Sequence, residues 1–243
     1  MQNQLKISNR LKQIASYLHE GTFFADIGSD HAYLPCYVCL QDSNARAIAG
    51  EVKKGPYNSA NETVKRFNLQ HAVDVRLGNG LAVLTEKDDV KQIVIAGMGG
   101  ALITSILEEG QEKLAPIERL VLQPNTNAEA VRIWLLNHDF TITGETIVEE
   151  HGHLYEIIVA DSKIKSSPYD PHRLQKQLMF GPYLLKKKQK EFYQKWKAEL
   201  KKTRHVLQQM KQGTIKDEEK IIRFEQRIKW IQEVLNDEST DEC

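Results

Sequence analysis

Three short polar turns, each after a strand-like segment, contain residue types that can bind a nucleotide. Asp26 and Gly28 follow the apolar residues 22–25, Glu51 ends a second apolar segment, and Asn79 follows a third. In open parallel sheets, an acidic residue about 20 positions beyond a glycine turn holds ribose hydroxyls. An asparagine offers the donor and the acceptor that match the edge of an adenine. Together these residues favour an adenosine-containing ligand at the carboxyl ends of the strands.

The turn after the first strand departs from the dinucleotide fingerprint G-x-G-x-x-G. Gly28 is followed by Ser29, Asp30 and His31. A carboxylate at this place repels a pyrophosphate and attracts a positively charged ligand. An NAD-dependent oxidoreductase, which needs the fingerprint, is therefore the weaker enzyme hypothesis. A non-catalytic RNA-binding protein with a degenerate Rossmann-like domain is a third hypothesis, which the complete set of polar residues at the three turns disfavours.

Two further turns follow the next strand-like segments. Residues 97–100 are Gly-Met-Gly-Gly, and glycines at this density permit close approach of the backbone to a ligand or substrate. Residues 123–125 are Gln-Pro-Asn, and their two side-chain amides can hydrogen-bond the edge of a base. Both turns are therefore candidate parts of a substrate pocket.

These turns are positioned by strand-like and helix-like segments that alternate along the chain. The strand candidates are residues 22–27, 45–50, 73–77, 91–96 and 118–123, and the helix candidates are residues 7–19, 33–41, 55–68, 100–109 and 127–138. This alternation predicts an α/β fold with a parallel sheet covered on both faces. Residues 141–149 and 154–161 then predict a closing β-hairpin, with its turn at His151-Gly152-His153.

The composition is that of an ordinary globular protein, with 243 residues, 41% hydrophobic and 27% charged. No apolar run approaches the roughly 20 residues of a membrane span, and residues 1–6 lack the apolar region of a signal peptide. Cys36 and Cys39 are expected to be buried in a helix rather than to form a redox pair or a metal site, and Cys243 ends the sequence. We therefore expect a cytoplasmic protein without a metal site.

The net charge of zero conceals an asymmetry between two parts of the chain. Residues 1–163 carry 15 basic and 21 acidic side chains, whereas residues 164–243 carry 18 and 12. A basic part on an otherwise acidic protein suggests a polyanionic partner. The most basic stretch, residues 186–204, has two acidic residues and nine basic ones, namely Lys186, Lys187, Lys188, Lys190, Lys195, Lys197, Lys201, Lys202 and Arg204.

The basic part is also predicted to be a helical hairpin. Apolar residues recur at helical spacing from Phe192 to Met210 and from Ile221 to Leu235, and Gln212-Gly213-Thr214 interrupts the pattern. Two such stripes joined by a short turn predict two antiparallel helices packed as a coiled coil. We therefore divide the chain into a sheet domain, residues 1–163, and a basic helical hairpin that binds nucleic acid, residues 164–243.

Several motifs are similar to those of one protein family. They are Asp26-Ile-Gly-Ser-Asp-His-Ala-Tyr-Leu-Pro35, Ala49-Gly-Glu-Val52 with Gly55-Pro-Tyr57, Asn79-Gly-Leu81, Ile95-Ala-Gly-Met-Gly-Gly100, Leu122-Gln-Pro-Asn125 and Phe180-Gly-Pro-Tyr-Leu184. Over nearly the whole chain they resemble the TrmK family, the bacterial tRNA adenine-22 N1-methyltransferases. The resemblance implies the Rossmann-like sheet of class I methyltransferases, S-adenosyl-L-methionine (SAM) as methyl donor and tRNA as substrate.

The resemblance also assigns roles to the polar turns. Asp26 and Asp30 suit the positive charges of SAM, Glu51 its ribose and Asn79 its adenine. The implied cofactor site comprises Asp26, Gly28, Ser29, Asp30, Glu51, Val52, Asn79, Gly80, Ala96, Gly97 and Met98. The implied RNA contacts are Arg10, Gln123, Asn125 and the nine basic residues of the stretch 186–204. The candidates for catalysis are Asp30, His31 and Asn125, with no assigned general base.

The chemistry at adenine N1 sets the remaining expectations. N1 lies on the Watson–Crick edge, so the target base has to be unpaired or flipped out of its helix. N1 already carries a lone pair, so its methylation needs alignment with the methyl group more than a strong base. We expect a monomeric enzyme with this activity, and a methyltransferase acting on another RNA base is the alternative.

Overall fold

The computed structural model describes residues 5–213 and 217–237. Some residues that the sequence analysis discussed lie outside these ranges. They are residues 1–4 of the amino-terminal segment, Thr214 at the end of the predicted hairpin turn, and Cys243.

Within the described ranges, the elements alternate as the sequence predicts. The strands are β1 Phe23–Ile27, β2 Arg46–Glu51, β3 Val73–Leu77, β4 Gln92–Gly99, β5 Arg119–Thr126, β6 Phe140–Glu150 and β7 His153–Ser162. The helices are α1 Asn9–Ala15, α2 Tyr33–Gln41, α3 Lys54–Arg66, α4 Gly100–Glu109, α5 Ala128–Leu136, α6 Leu174–Phe180, α7 Pro182–Lys187, α8 Lys190–Gln212 and α9 Glu218–Asn236. The sequence pattern did not predict α6 or α7.

The strands form one seven-stranded sheet in the order β3-β2-β1-β4-β5-β7-β6. Strands β1 to β5 pair in parallel, and β7 runs antiparallel between β5 and β6. The chain order reverses between β1 and β4, because β2 and β3 extend the sheet on one side and β5 extends it on the other. In open α/β sheets, such a switch point forms a ligand-binding crevice at the carboxyl ends of the strands.

Apolar side chains cover both faces of the sheet, because successive residues of a strand point to opposite faces. In β1, Ala25 and Ile27 belong to one buried cluster and Phe24 belongs to the other. Helices α4 and α5 contribute to the first cluster, and helices α1, α2 and α3 contribute to the second. Because both faces of the sheet are covered, the central strands are apolar throughout, and their residues do not alternate between apolar and polar.

The two cysteines of α2 lie in the second cluster. Burial raises the pKa of Cys36 and of Cys39 to about 12. A redox or metal-binding cysteine instead needs a lowered pKa, because the thiolate is the reactive form. The prediction of two buried helical cysteines is confirmed.

The chain divides into two compact units, residues 1–183 and residues 184–243. This division differs from the predicted boundary after residue 163, because residues 164–183 belong to the first unit. Helix α6 packs against α5, and Tyr169 and Tyr183 pack against the first apolar cluster. Residues 164–183, which the sequence analysis assigned to the helical hairpin, are therefore part of the sheet unit.

A buried ion cluster fixes this segment to the sheet. Arg132 of α5 is fully buried and donates from Nε to Glu145 Oε1 at 2.7 Å and from Nη2 to Glu156 Oε2. Its Nη1 donates to the main-chain carbonyl oxygens of Leu178 and Met179, both at 3.3 Å. One guanidinium thus joins α5, β6, β7 and the end of α6.

The residues after α6 complete the same cluster. Gly181 has a φ of 90°, and a Cβ at this position would lie 2.7 Å from Arg132 Nη2 and from both carboxylate oxygens of Glu145. The amide of Tyr183 donates to Glu145 Oε2 at 2.8 Å. Glycine is required here, because any side chain would displace the ion pair.

The second unit contains α8 and α9, which pack together. Lys188 pairs with Asp237 at 2.6 Å, and Lys211 pairs with Glu225 at 2.5 Å. The start of α8 thus lies near the end of α9, and the end of α8 lies near the first half of α9, so the two helices are antiparallel. The basic stretch is not one continuous helix, because Lys188, with a φ of 39°, lies between α7 and α8.

We expect the substitution Arg132→Ala to lower the free energy of unfolding by about 3–5 kcal/mol, because two carboxylates would remain buried without their counter-charge. Urea denaturation followed by circular dichroism measures the change. The control is Lys91→Ala, which removes an exposed ion pair with Asp89 and should leave the midpoint unchanged. Equal midpoints for the two variants would show that the buried cluster does not stabilise the fold.

Candidate cofactor and substrate site

Asp26 lies near the carboxyl end of β1, and only 4% of it is exposed. Its Oδ2 accepts a hydrogen bond of 2.6 Å from Ser29 Oγ. The amides of Gly28 and Ser29 donate to the carbonyl oxygen of Gly50 on β2, at 2.9 and 3.2 Å. These bonds tie the turn after β1 to the end of β2, where Glu51 lies.

The residues that follow this turn have a left-handed backbone. Asp30, His31 and Ala32 have φ values of 42°, 69° and 55°, a conformation that costs an L-residue about 1–2 kcal/mol. Glu51 Oε1 offsets part of this cost by accepting a 2.5 Å hydrogen bond from the amide of Asp30. Such enforced backbone strain is concentrated at functional sites. Asp30 is exposed and His31 partly exposed on this turn, as substrate contacts require.

Gly28 brings the turn after β1 close to β4. Its φ is 71°, and a Cβ at this position would lie 2.1 Å from Met98 Cε. The Met98 side chain therefore occupies the space that a larger residue would need. This contact places the turns after β1 and β4 together at the switch point of the sheet.

Two acidic side chains are buried at this site. Burial is the main cause that raises the pKa of Asp26 to about 7; the charges of Glu51 and Asp30 contribute to this rise, and the Ser29 hydrogen bond and the charge of Arg10 oppose it. Burial also raises the pKa of Glu51. A cation beside these carboxylates would favour their ionised form. The residues present therefore fit a positively charged ligand such as SAM.

Val52 and Asn79 extend the site beyond the ends of β2 and β3. Val52 is 61% exposed. Asn79 is also exposed and precedes the 3₁₀ segment Gly80–Val83. An exposed apolar side chain and an exposed amide suit the face and the edge of an adenine ring.

A β-bulge distorts β4 opposite β5. The register shifts between Ala96 and Met98, and the intervening Gly97 has a φ of 77°. Pro124, which lies opposite Met98, has no amide hydrogen and is tolerated at such irregularities. Bulges re-aim side chains beside active sites, and this one lies next to the turn that holds Asp26.

A chain of hydrogen bonds joins the bulge to Arg10 and to the end of β5. Gln123 Oε1 accepts from Arg10 Nη1 and, at 3.2 Å, from the amide of Gly97. Gln123 Nε2 donates to Asn125 Oδ1 at 3.0 Å, and Asn125 Nδ2 donates to the carbonyl oxygen of Gly97 at 2.7 Å. The structure thus joins Arg10 to Gln123 and Asn125, which belong to the turn that the sequence analysis selected without a link to Arg10. We call them the amide network.

The members of the amide network differ from the expectation that all three contact RNA. Gln123 is fully buried and faces other protein groups. The Arg10 side chain is 20% exposed, with Nε 3.6 Å from Glu150 Oε2 and the guanidinium 5.1 Å from the ring centre of Tyr155. Of the three residues, Asn125 is exposed to solvent. Asn125 is therefore the member of the amide network that is most open to solvent, and Arg10 and Gln123 lie behind it.

Sequence reasoning missed three residues at this site. Glu150 and Tyr155 hold Arg10, but they lie on β6 and β7, and no local spacing relates them to α1. The ring of Tyr33 stacks on His31 with 5.3 Å between ring centres. Tyr33 belongs to the first motif, and an aromatic residue two positions from His31 was the available signal.

The basic residues of the carboxyl-terminal part have different environments. Lys186 and Lys187 are exposed at the end of α7. Lys188 forms its ion pair with Asp237, and the Lys195 ammonium lies 5.5 Å from the ring centre of Trp196. Because of these contacts, the nine basic residues differ in how readily they could reach a nucleic acid.

Part of the basic stretch forms one face of α8. Spacings of seven, four and three residues bring exposed side chains onto the same side of a helix. We call this face the basic stripe, and it consists of Lys190, Lys197, Lys201 and Arg204. Lys202 instead pairs with Glu199 on the same helix at 2.8 Å.

Residues 5–213 and 217–237 contain no group of three or more His, Cys, Asp or Glu side chains that could hold a metal ion. Among the same residues, no helix is both long and apolar enough to cross a membrane.

The sheet order and the acidic glycine turn at its switch point define a Rossmann-like, SAM-dependent methyltransferase of class I. The model of the family described as TrmK, tRNA (adenine(22)-N(1))-methyltransferase, matches residues 24–233. The chain belongs to this family, because the match covers most of its length.

Individual relatives agree with this assignment. The tRNA (adenine(22)-N(1))-methyltransferase of Bacillus subtilis is 42% identical over 236 residues, which are 96% of this chain and 99% of that protein. The crystal structure of the B. subtilis m1A22 tRNA methyltransferase TrmK has a TM-score of 0.87 at 39% identity, covering 96% of this chain and all of that one. Sp1610 of Streptococcus pneumoniae in complex with SAM has a TM-score of 0.83 at 43% identity, covering 95% of this chain and all of that one.

We expect the substitution Asp26→Asn to weaken SAM binding by about 10-fold or more, because asparagine cannot carry the negative charge that a bound cation would favour at this position. Isothermal titration calorimetry measures the affinity. The control is Asp139→Asn, an exchange at an exposed position with a φ of 54° that asparagine adopts readily. Normal SAM binding by the Asp26 variant would remove Asp26 from the cofactor site.

The same substitution should also change how stability depends on pH. The native state keeps a proton on Asp26 up to about pH 7, whereas the unfolded state loses it near the ordinary value of 3.8. The free energy of unfolding of the wild type therefore decreases as the pH rises from about 4 to about 7. The Asp26→Asn variant does not show this decrease. Urea denaturation at pH 5 and pH 8 should show the variant gaining stability over the wild type at the higher pH.

Proposed function

We propose that this chain transfers a methyl group from SAM to N1 of adenine 22 in bacterial tRNA. The observation that carries the proposal is the pair of buried carboxylates, Asp26 and Glu51, at the switch point of the sheet. Membership of the TrmK family gives the substrate and the target atom, because the Bacillus subtilis relative bears this activity in its name.

The cofactor-binding residues follow from the strand ends. Bound SAM supplies an electrophilic methyl group on a sulfonium ion. In the proposal, Asp26 and Asp30 bind its positive groups, Glu51 accepts hydrogen bonds from its ribose, and Val52 and Asn79 contact its adenine. The backbones of the turns carry the remaining contacts, at Gly28, Ser29, Gly80, Ala96, Gly97 and Met98.

The role of the protein in methyl transfer is alignment and charge. The lone pair of adenine N1 is the nucleophile, so the enzyme has to hold N1 in line with the methyl group, and such positioning alone lowers a barrier by several kcal/mol. Methylation leaves the base positively charged. Asp30, which is exposed beside His31 on the left-handed turn, can stabilise that charge, and Asn125 and His31 can hold the base.

The proposal extends to the partners and the compartment. The basic stripe of α8 contacts tRNA phosphates, because four exposed positive charges on one helix face attract a polyanion. We further propose that the hairpin is the tRNA-binding part of a monomer and that the enzyme works in the cytoplasm, where its tRNA substrate resides.

Primer extension tests the proposed reaction. Purified protein and SAM are incubated with an unmodified bacterial tRNA, and reverse transcription is then expected to stop at position 22, because a methyl group on N1 blocks Watson–Crick pairing. A tRNA carrying uridine at position 22 is the control and should give no stop. Full-length extension on both RNAs would refute the activity, and a stop at another residue would refute the target.

The basic stripe makes a separate prediction. The triple variant Lys197→Gln, Lys201→Gln and Arg204→Gln should weaken tRNA binding and reduce the slope of log K against log salt by about 2 to 3, because each phosphate contact contributes about 0.7 to 0.9. Filter binding at several salt concentrations measures the slope. SAM affinity should not change, because the substitutions lie outside the sheet unit.

A variant with the same change in charge serves as the matched control. Lys220→Gln, Arg223→Gln and Lys229→Gln remove three exposed basic residues from α9 instead of α8. If both triple variants lower the salt slope equally, the effect comes from net charge, and the basic stripe has no specific role in binding.

A further inference from the structure

The hydrogen bonds of the amide network have only one possible direction. A guanidinium can only donate, so the Gln123 atom that faces Arg10 is the oxygen Oε1. Nε2 of Gln123 therefore faces Asn125 and donates to its Oδ1. Nδ2 of Asn125 then faces the carbonyl oxygen of Gly97, which can only accept. Donor and acceptor chemistry at both ends thus fixes the orientation of both amide groups.

The fixed orientation determines what Asn125 offers to a ligand. A side-chain amide has two acceptor sites on its oxygen and two N–H donors. The network uses one acceptor site of Oδ1 and one N–H of Nδ2. Because Asn125 is exposed, one acceptor site and one N–H of its amide remain for a ligand at the end of β5.

We propose that Asn125 recognises the Hoogsteen edge of the target adenine, a proposal that rests on the function proposed above. Oδ1 accepts a hydrogen bond from the N6 amino group, and Nδ2 donates to N7. This is the bidentate pattern by which asparagine recognises adenine in nucleic acids. The contact leaves N1 open, because N1 lies on the other side of the amino group, on the Watson–Crick edge.

This contact also explains how the site rejects guanine. Guanine presents two acceptors, O6 and N7, on the same edge. The acceptor Oδ1 would then face the acceptor O6 without a proton between them. Asn125 cannot rotate its amide to relieve this conflict, because the exchanged amide would place its oxygen against the carbonyl oxygen of Gly97. Gln123 and Arg10 are therefore positioning residues for specificity.

The same network connects base recognition to the cofactor side of the crevice. Gly97 donates to Gln123 through its amide and accepts from Asn125 through its carbonyl oxygen. The next residue, Met98, packs on the Gly28 turn beside Asp26. One bulge in β4 thus sets the position of the base-reading amide relative to the turn that binds SAM.

Synthetic tRNAs with altered bases at the target position test the proposal. 7-Deazaadenosine lacks N7, purine riboside lacks the N6 amino group, and both keep the N1 lone pair. Single-turnover methylation by the wild-type enzyme should be about 10-fold slower on each analogue than on adenosine. The variant Asn125→Ala should be slower on adenosine and should show no preference for adenosine over 7-deazaadenosine.

Two further variants separate recognition from general loss of structure. Gln123→Leu keeps Asn125 but removes the group that orients its amide, so the preference for adenosine over 7-deazaadenosine should decrease. Asn44→Ala removes an exposed asparagine before β2, at the opposite end of the strands, and should keep the full preference. A purely structural role of Gln123 would lower all rates without changing their ratio.

The outcomes distinguish this proposal from the proposed function. If the wild type does not methylate tRNA with adenosine at position 22, the proposed function itself fails. If it methylates adenosine and 7-deazaadenosine at equal rates, or if Asn125→Ala keeps the preference, only the role of Asn125 is refuted. If Asn125→Ala is inactive on every substrate, the wild-type rates on 7-deazaadenosine and purine riboside alone decide whether Asn125 has the proposed role.

Discussion

The cost of burying negative charge at the end of β1 governs the chemistry of this protein. Asp26 and Glu51 lie next to each other with almost no exposure to water, which favours their protonated forms. Each carboxylate is held by one short hydrogen bond, from Ser29 Oγ or from the amide of Asp30. A positively charged ligand offsets this cost, whereas a pyrophosphate would increase it. The desolvation that lowers the stability of the fold therefore also favours a cationic ligand.

The hydrogen bond to Glu51 also connects cofactor binding to the left-handed turn. Three consecutive residues without glycine have positive φ at Asp30–Ala32, and this conformation persists only where surrounding contacts enforce it. The carboxylate proposed to hold the ribose is the group that fixes Asp30. The position of Asp30 and His31 therefore depends on the same side chain that is proposed to hold the ribose.

A second buried charge cluster has a structural role. Arg132, Glu145 and Glu156 are nearly inaccessible to water and attach residues 178–183 to the sheet. Removing one partner of a buried ion cluster strongly lowers the free energy of unfolding, because the remaining charge stays in a medium of low dielectric constant. The chain thus leaves the sheet unit at a fixed place, immediately before the helical hairpin begins.

The sequence by itself determined the alternation of helices and strands from α1 to β7, the two hairpin helices, the acidic turn, the buried cysteines and the family, because these depend on local apolar periodicity and on contiguous motifs. It did not determine the limits of the two units or the contacts of α6, because Arg132 and its two glutamates are distant in sequence and look like ordinary surface charges. It also selected Arg10 and the turn that contains Gln123 and Asn125, but not the link between them. Only the tertiary structure decided that Gln123 is buried and Asn125 exposed, because α1, β4 and β5 are brought together by the sheet order rather than by any local spacing.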